Sequence, residues 1–534
     1  MKRRWWAESV GVSLLLIFPY FSPLILPGHL ALYHHDLAFT NLIGGLLVDM
    51  AGIVVIGVCL LYLLCCLPPR GQEIAGACLA ADILWRFVRL GVALVGAAYA
   101  QRIQDTSDFG GVGAFAAFMR INDAHVHVQE AVLMLVSGVL ASVLPGRIRP
   151  ITRGVQVWLA GFAFCSVFII PQLVYLAGLH EYSSFDRSAS QPQPRSSGRI
   201  VWILFDELSY ELTLQHPPSG QSFPNFESLR AKSISFGDIE PAGYFTDRVI
   251  PSILSGQRID RIKSTLNGKL LDFDPKQNRW APYDPNASLF GQAYRQGWNP
   301  AASGWYNPYC RLFSQVLTTC FWTPFKTLSL QSLGGSDDKS VWANAWVLPH
   351  EYLGRLLGQR NSASITGQQK VEDYQSLTLH AASLIDNGRL HMIFLHLPVP
   401  HPPGSYNRRT RQLCACGDYL DNLSLADETL GQLRKEIDVS PWASETTIII
   451  SSDHSWRVPY WKQNPGWTSQ EERVSRGQFD PRPVFLIHFA NQSTGANIDA
   501  SLNEIREHDI VSAMLSGEIR SPHGLEQFLH LAMH

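Results

Sequence analysis

Charged side chains are scarce in this chain. Asp, Glu, Lys and Arg make up 16% of its 534 residues, against about 25% in an ordinary soluble domain, and the shortage is concentrated in the first 180 residues. The formal net charge of −2 argues against nucleic acid as the main partner. The chain is also too long for one hydrophobic core. We therefore expect at least two domains, an apolar N-terminal third and a globular remainder.

The N-terminal third is predicted to cross a membrane. Apolar stretches close to the ~20 residues that a transmembrane helix needs lie at about 7–27, 42–67, 74–100, 126–145 and 155–179. The basic residues of the short loops all fall on one side of these stretches: Lys2, Arg3, Arg4, Arg70, Arg147, Arg149 and Arg153. The positive-inside rule then places the N-terminus in the cytoplasm. Five crossings of an inner or plasma membrane would leave everything after residue 180 outside.

The third of these stretches is not uniformly apolar. Asp82, Arg86 and Arg89 lie within it. Asp82 and Arg86 are four residues apart, a spacing that places both side chains on one helix face and allows them to pair. Charge inside a membrane is costly and often functional. The interpretation that we favour is a structural one, in which these residues hold the helices together.

Residues 181–199 are predicted to form a linker, because SSFDRSASQPQPRSSGR at 183–199 is rich in Ser, Pro and Gln and has no apolar period. Beyond it, the apolar runs IVWILF, MIFLHL, TTIIIS and VFLIHF alternate with helical patterns such as SLFGQAYRQG and NLSLADETLGQLRKEI. Such alternation is typical of a mostly parallel sheet with helices on both faces. The predicted domains are thus a transmembrane helical domain at 1–180 and an α/β domain at 200–534.

Two of the predicted strands end in side chains that bind metal ions. Asp206 and Glu207 follow IVWILF, and Asp453 and His454 follow TTIIISS. Open α/β folds build their sites at the C-terminal ends of strands, and carboxylates with an imidazole suit a divalent cation. Thr246 lies between the two strands in FTDRVIPSILSG, and its hydroxyl is a candidate nucleophile beside such a cation. The alternative is that these acidic pairs only cap loops.

Six segments follow one another in an order that is known from a protein family. They are IVWILFDELSYELTL, FPNFESLRAKSISFGDIEPAGYFTDRVIPSILSGQRI, GWYNPYCR, FLHLPVPHPP, YLDNLSLADETLGQLR and IIISSDHSWR. Over about residues 199–490 the chain therefore resembles the alkaline phosphatase superfamily, and within it the branch of sulfatases and phosphoethanolamine or phosphoglycerol transferases, which includes lipoteichoic-acid synthases. The resemblance implies a sulfatase-like α/β fold, an enzyme, and one or two divalent metal ions, with Zn, Mn, Mg and Ca all open.

The resemblance also implies roles for the residues at the strand ends. Asp206 and Glu207 match the first acidic metal ligands, and Asp453 with His454 matches the closing ligand pair. Thr246 matches the nucleophile, which is also a metal ligand. Which of the two acidic residues binds is left open, although Glu207 aligns better with the transferases.

The residues after Thr246 separate the branches of the family. Formylglycine sulfatases need Cys or Ser at this position with a Pro and an Arg at fixed distances after it, and the segment here is Thr246-Asp247-Arg248-Val249-Ile250. Formylglycine is therefore excluded. Thr246 is predicted to start a helix, whose free amides favour an anionic ester, and Arg248 is a candidate contact for that ester. The alternatives are an ordinary helix cap for Thr246 and a surface position for Arg248.

Further candidates come from two other matched segments. His401, after the strand MIFLHL, corresponds to a family residue near the phosphate or leaving group, and a histidine there can protonate a departing alkoxide. His396 is expected to be a core residue or to support a ligand. Trp305, Tyr306 and Arg311 form an aromatic and basic cluster suited to a headgroup or sugar. A structural role around Cys310 is the alternative for that cluster.

The nine cysteines divide between the two predicted domains. Those in the apolar stretches are Cys59, Cys65, Cys66, Cys78 and Cys165. Cys310, Cys320, Cys414 and Cys416 lie in the predicted outer domain, where disulfides persist. Cys310 with Cys320 is the favoured disulfide, and the pairing of Cys414 and Cys416 is left open. A zinc site made by these four suits the spacing poorly.

These observations predict a membrane-anchored, metal-dependent phosphotransferase or phosphodiesterase. It would take a phosphorylated headgroup from a membrane lipid onto Thr246 and pass it to an envelope glycan, a lipid or water. One alternative is a sulfatase-like hydrolase of sulfate or phosphate esters that works without formylglycine. Another is a catalytically silent scaffold that binds envelope polymers. The sequence leaves the donor, the acceptor and the metal open.

Overall fold

The N-terminal part of the chain is helical. The computed structural model describes residues 2–25, 28, 30–106, 109, 111–115, 126–144, 146–180, 183–187, 198–324, 331, 334–356, 362–464, 466–476 and 478–533. Its N-terminal helices are α1 (Lys2–Ile25), α2 (Leu30–His34), α3 (Thr40–Cys65), α4 (Pro69–Thr106), α5 (Val126–Val143), α6 (Arg149–Phe162) and α7 (Ser166–Ala177). A short turn of helix, Ala163–Cys165, joins α6 to α7.

Three N-terminal helical segments are long and apolar enough to cross a membrane: Trp5–Ile25, Thr40–Cys65 and Arg149–Ala177. A shorter apolar helix covers Gln129–Val143. The predicted stretch 74–100 lies inside α4, which is not among these three segments. The structure therefore supports three of the five predicted spans. Large apolar side chains on α3, such as Val55, Ile56 and Leu60, are exposed, as on a surface that faces hydrocarbon.

The charged residues of α4 form a network. Arg86 Nε lies 2.9 Å from Asp82 Oδ2, which is the predicted pair, and Arg86 Nη2 lies 2.7 Å from Glu130 Oε1 on α5. The glutamate was not part of the sequence prediction. The network joins α4 to α5, as expected for charges that hold helices together.

The C-terminal part of the chain is built around a nine-stranded sheet in the order β1-β9-β8-β10-β2-β13-β14-β3-β15. The five central strands, β9, β8, β10, β2 and β13, are parallel to one another. β1 and β14 run antiparallel. The strands of the sheet are β1 (Ser184–Asp186), β2 (Arg199–Phe205), β3 (Ile234–Phe236), β8 (Ala301–Tyr306), β9 (Thr319–Pro324), β10 (Met392–Leu397), β13 (Thr446–Ser451), β14 (Phe485–His488) and β15 (Ala496–Ile498).

Small sheets and helices surround this sheet. The remaining strands are β4 (Ile239–Glu240), β5 (Ile262–Ser264), β6 (Leu270–Asp274), β7 (Arg279–Pro282), β11 (Tyr406–Asn407), β12 (Gln412–Leu413) and β16 (Leu502–Asn503). The helices are α8 (Pro224–Arg230), α9 (Thr246–Ser255), α10 (Leu289–Arg295), α11 (Tyr309–Leu312), α12 (Val341–Ala345), α13 (Val347–Leu356), α14 (Ser362–Asp386), α15 (Tyr419–Val439), α16 (Val458–Trp461), α17 (Ser469–Ser475), α18 (Arg506–Ser516) and α19 (Pro522–Met533). Short helical turns cover Glu211–Gln215, Pro285–Ala287 and Ala443–Glu445.

Strand β2 divides the hydrophobic core into two layers. All seven of its residues are buried. Trp202 and Leu204 point into a cluster with residues of α9, α10, α18 and α19, while Val201, Ile203 and Phe205 point into a second cluster with residues of α8, α14 and α15. The sheet is thus mostly parallel and covered by helices on both faces, which confirms the architecture predicted for the α/β domain.

The sheet begins earlier in the chain than predicted. Ser184–Asp186 lie inside the expected linker, yet they form β1, an edge strand that pairs with β9. The prediction failed because a three-residue edge strand leaves no apolar period in the sequence. Residues 181–182 and 188–197 of the predicted linker lie outside the described residues.

Candidate active site and metal centre

The C-terminal ends of two adjacent strands bring the candidate ligands together. β2 and β13 are parallel neighbours with Leu204 opposite Ser451, so Asp206 and Asp453 leave the sheet at the same edge. One ligand atom from each of Asp206, Asp453 and His454 lies within 4.8 Å of the other two. All three side chains are fully buried. The structure therefore assembles three of the residues that the sequence pointed to.

The chemistry of this cluster suits a divalent cation. Asp206 Oδ1 is buried and has no hydrogen-bond partner among the described residues. Burial, and then the nearby Glu207 carboxylate, raise the pKa of Asp206 to about 8. Burial, and then Asp206, raise the pKa of Asp453 to about 7. Raised pKa values mean that both carboxylates are hard to ionise, and a cation bound between them would stabilise their charged forms. Two carboxylate oxygens with one imidazole nitrogen are ligands that suit Zn, Mn or Mg.

Thr246 lies at the edge of the cluster. It is the first residue of α9, after Phe245 in extended conformation. Thr246 Oγ1 donates a hydrogen bond of 2.6 Å to Asp453 Oδ2 and lies 3.4 Å from His454 Nε2. The hydroxyl thus stands at a helix N-terminus, where the free amides and the helix dipole favour negative charge.

The His396 ring lies between the Asp206 carboxylate and the Tyr309 hydroxyl. Its Nε2 atom lies 3.2 Å from Asp206 Oδ2, and its Nδ1 atom lies 2.8 Å from the hydroxyl of Tyr309. Burial lowers the pKa of His396 to about 4, so the ring is neutral. It is therefore both buried and in contact with a ligand, in agreement with the supporting role considered from the sequence.

Glu207 borders the cluster without being part of it. Its backbone N–H donates to Asp453 Oδ1 at 3.1 Å, its φ is 64°, and its Oε1 atom lies 4.0 Å from His454 Nδ1. The carboxylate accepts hydrogen bonds from Arg457 Nε at 2.5 Å and from Trp461 Nε1 at 2.8 Å. Of the two acidic residues left open by the sequence, Asp206 is the one placed to bind a metal. Glu207 instead anchors a buried arginine.

His401 lies beside the Glu207–Arg457 pair. Its Nε2 atom is 3.2 Å from Arg457 Nη2 and 3.9 Å from Glu207 Oε2. The ring centroid of His401 is 5.0 Å from that of Trp305. Burial, reinforced by Lys370 and Arg457, holds the pKa of His401 well below its usual value. The imidazole is thus neutral, which limits its use as a proton donor.

Lys370 is a residue of this region that the sequence analysis missed. It lies on α14, is buried, and donates from Nζ to the Pro403 carbonyl at 3.1 Å. Its Nζ atom is also 5.9 Å from the centroid of the Trp305 ring. Burial lowers the pKa of Lys370 to about 7. A lone Lys on a helix, outside every matched segment, gave no signal in the sequence.

Arg248 and Arg311, the two arginines predicted to contact substrate, both contact the N-terminal helices. Arg248 is buried, with Nη1 2.5 Å from Asp247 Oδ1 and Nη2 2.7 Å from Asp105 Oδ1 on α4. Arg311 Nη2 donates to the carbonyls of Leu32 at 3.0 Å and Tyr33 at 2.6 Å. Both guanidinium groups are therefore used to hold the N-terminal helices against the α/β domain. Their partners on the N-terminal helices are distant in sequence, so composition and spacing gave no sign of these contacts.

The remaining predicted residues lie close to their expected surroundings. Trp305 is buried between His396 and His401, and the Tyr306 ring packs on His34 at a centroid distance of 4.2 Å. Disulfides join Cys310 to Cys320, the favoured pair, and Cys414 to Cys416.

No protein-family model matches the sequence, and no curated protein matches it. Among solved structures, the chain is similar to a protein in the alkaline phosphatase superfamily from Vibrio parahaemolyticus, with 13% identity, a TM-score of 0.34, and 62% of this chain and 68% of that chain covered. It is also similar to the phosphonate monoester hydrolase of Agrobacterium radiobacter, with 11% identity, a TM-score of 0.35, and 60% and 74% covered.

A third similar structure is murine ectonucleotide pyrophosphatase / phosphodiesterase 5, with 11% identity, a TM-score of 0.33, and 61% of this chain and 96% of that chain covered. These TM-scores are low.

Proposed function

We propose that the chain is a membrane-anchored, metal-dependent phosphotransferase or phosphodiesterase that moves a phosphorylated lipid headgroup through a phospho-threonine at Thr246. The observation that carries the proposal is the hydrogen bond of 2.6 Å from Thr246 Oγ1 to Asp453 Oδ2, beside the cluster of Asp206, Asp453 and His454. A hydroxyl that already donates to a carboxylate has a route for its proton when it attacks.

In the first half-reaction the phosphorylated headgroup moves from the donor ester to Thr246. Asp453 accepts the proton of Thr246, and Oγ1 attacks the phosphorus of the donor ester. The bond from Oγ1 to phosphorus forms while the bond from phosphorus to the donor alcohol oxygen breaks. The N-terminus of α9 favours the anionic ester through its free amides. A divalent cation held by Asp206, Asp453 and His454 would supply Lewis-acid stabilisation of the charge on the ester.

The departing alkoxide needs a proton, and Lys370 fits this role better than His401. The pKa of Lys370 is lowered to about 7, so the group is partly protonated near neutral pH and gives up its proton readily. The pKa of His401 is far below its usual value, so at that pH the ring has no proton to give. His401 and Arg457 would then orient the ester rather than protonate it.

In the second half-reaction an acceptor hydroxyl gives its proton to Lys370, which the first half-reaction left neutral, and its oxygen attacks the phospho-threonine. The bond from the acceptor oxygen to phosphorus forms while the bond from Oγ1 to phosphorus breaks, and Asp453 returns the proton to Thr246. With a glycan or lipid as acceptor the reaction is a transfer, and with water it is a hydrolysis. Sulfate esters remain the alternative substrates, because the same ligands serve both kinds of anion.

The apolar helices support a lipid as the donor. A headgroup lies at the bilayer surface, and the site faces the N-terminal helices through Arg248 and Asp105. We propose that α4 and α5 cross the membrane in addition to the three candidate spans. Five crossings then place the site outside the cytoplasm, as the positions of the basic loop residues predict.

The test is the intact mass of the full-length protein in detergent after incubation with lipid extract and metal, without an acceptor. Wild type is expected to gain the mass of one phosphorylated headgroup at Thr246. Thr246→Ser should retain a measurable fraction of turnover, and Thr246→Ala should lose several orders of magnitude.

Thr213→Ala is the matched control for that test, because Thr213 is equally buried and its Oγ1 has no partner among the described residues. It should behave as wild type. Equal turnover in Thr246→Ala and Thr246→Ser, with no adduct, would show that the threonine is only a helix cap.

A further inference from the structure

Two tryptophans project from the segment that follows β9. Trp342 on α12 and Trp346, between α12 and α13, are each 70% exposed, and Leu353 on α13 is 57% exposed. The three exposed side chains thus lie within 342–353, on and between two short consecutive helices. Large apolar groups are seldom this exposed together on a soluble surface.

Other residues of the same segment pack on the N-terminal helices. Val341 Cγ2 lies only 2.9 Å from the position that a Cβ atom on Gly44 of α3 would take, and Asn344 Cβ lies 2.6 Å from that of Gly45. Leu348 is buried in a cluster with residues of α1, α3 and α7. The two glycines therefore allow α12 to approach α3 closely, and the exposed tryptophans are held at a fixed position beside a candidate membrane span.

That position corresponds to the boundary of a bilayer. α3 has 26 residues, or about 39 Å at 1.5 Å per residue, whereas the hydrocarbon core is about 30 Å thick. Gly44 and Gly45 lie in the first turns of α3, so α12 meets that helix near its end. Thr40 Oγ1 donates to the carbonyl of Ala177 at 2.7 Å. The C-terminal end of α7, with the half-exposed Tyr175, therefore lies next to the N-terminal end of α3.

We propose that Trp342, Trp346 and Leu353 form a membrane-docking face that inserts into the headgroup region of the outer leaflet. Trp and Tyr concentrate at this depth because their rings are amphipathic. The face is carried by a segment that packs on α3, which is a candidate membrane span, so a lipid surface is the occupant that the structure favours. Its function is to fix the height of the α/β domain, and hence of Thr246, above the lipid headgroups. The inference rests on the proposed membrane placement.

The test uses the full-length protein reconstituted into vesicles of phosphatidylcholine that carries bromine at a shallow or a deep acyl position. Bromine quenches tryptophan emission on contact, so the quenched fraction reports which rings touch lipid. Trp342→Phe/Trp346→Phe is expected to lose a clear part of the emission that shallow bromine quenches, with little change for deep bromine. Trp442→Phe is the matched control. It removes a partly buried ring that precedes β13, at the sheet edge opposite the site, and should leave the lipid-quenched emission unchanged.

The other outcomes each overturn a stated part of the argument. An unchanged quenched fraction in the double variant, with an unchanged melting temperature, would show that the face does not touch lipid. Quenching that varies with the ratio of protein to lipid would assign the face to a second copy of the chain. No quenching in wild type, including Trp85 and Trp158 of the apolar helices, would remove the membrane placement itself. None of these readouts depends on turnover, so a failure of the proposed reaction is seen separately.

Discussion

Arg248 Nη2 lies 2.7 Å from Asp105 Oδ1, and this contact joins the helix that begins with Thr246 to the end of α4. Asp247 makes a second contact, with its Oδ2 atom 3.2 Å from His34 Nε2. The two residues after Thr246 are thus held by the N-terminal helices, while Thr246 itself faces the metal ligands. The position of the hydroxyl is therefore sensitive to residues far from the chemistry.

Asp105→Asn is expected to lower kcat by about tenfold, because it removes one charged hydrogen bond worth roughly 1.5–3 kcal/mol from a buried guanidinium. Arg248 keeps Asp247, so the fold should survive. Asp105→Glu should recover part of the rate, and the bound metal should be unchanged in both. Asp438→Asn, at an exposed position of α15, is the control. Equal rates for Asp105→Asn and wild type would show that the contact does not position Thr246.

Asp206 and Glu207 are expected to differ in metal binding although they are adjacent. Asp206→Asn, Asp453→Ala and His454→Ala should each remove bound metal, as measured on the purified protein by mass spectrometry of the elements. Glu207→Gln should retain most of it, because that carboxylate is occupied by Arg457 and Trp461. His488→Ala, at the opposite end of the sheet, serves as the control. Loss of metal in Glu207→Gln equal to that in Asp206→Asn would contradict the geometry.

Lys370→Met is expected to depend on the leaving group of the ester. An alkyl phosphodiester releases a basic alkoxide, so its turnover should fall by about 10²-fold, the usual contribution of a general acid. A nitrophenyl ester needs no proton on its leaving group and should lose far less. His401→Gln should affect both esters alike if it only orients them. Equal losses for both esters in Lys370→Met would remove it as the proton donor.

Glu507→Gln is expected to stabilise the protein at alkaline pH. Both carboxylate oxygens of Glu507 are buried with no hydrogen-bond partner among the described residues, and burial raises the pKa of this group well above its usual value. The folded state therefore holds a proton that the unfolded state releases, and stability falls as pH rises above the unfolded pKa. The melting temperature of the variant should exceed that of wild type at pH 8, by about 2–4 °C for each kcal/mol. The gap should shrink as pH falls through the unfolded pKa, because the unfolded state then becomes protonated as well, and a gap that is constant with pH would contradict this expectation.

The five-span topology is expected to show in reporter fusions. A reporter that is active only outside the cytoplasm should work when fused after residue 190 and fail when fused near residue 150. Activity at both positions, or the reverse pattern, would contradict five crossings and favour an arrangement of the three candidate spans alone.

The parts of the site that were predictable from sequence are those that follow buried strands. Asp206, Asp453 and His454 come directly after β2 and β13, and the alignment of parallel strands is enough to bring their ends together. Lys370 comes from a helix that packs on the sheet, and no local pattern marks such a residue. The contact of Arg248 with Asp105 was not predicted, because the two residues are 143 positions apart in the chain and no local pattern links them. The edge strand β1 was missed because three residues are too few to show an alternation of apolar and polar side chains.

Tyr33 shows what a shortened protein would lose. Its ring is buried against Ile259, Ile262 and Leu270, and its hydroxyl donates to Asn307, whose amide in turn donates to the Thr246 carbonyl. A fragment that begins at residue 198 would leave an open apolar socket at this point, next to the helix of Thr246. Such a fragment would expose an apolar surface that promotes aggregation. It should be produced with residues 28–36 supplied as a separate peptide, or with the residues that line this socket replaced by polar ones.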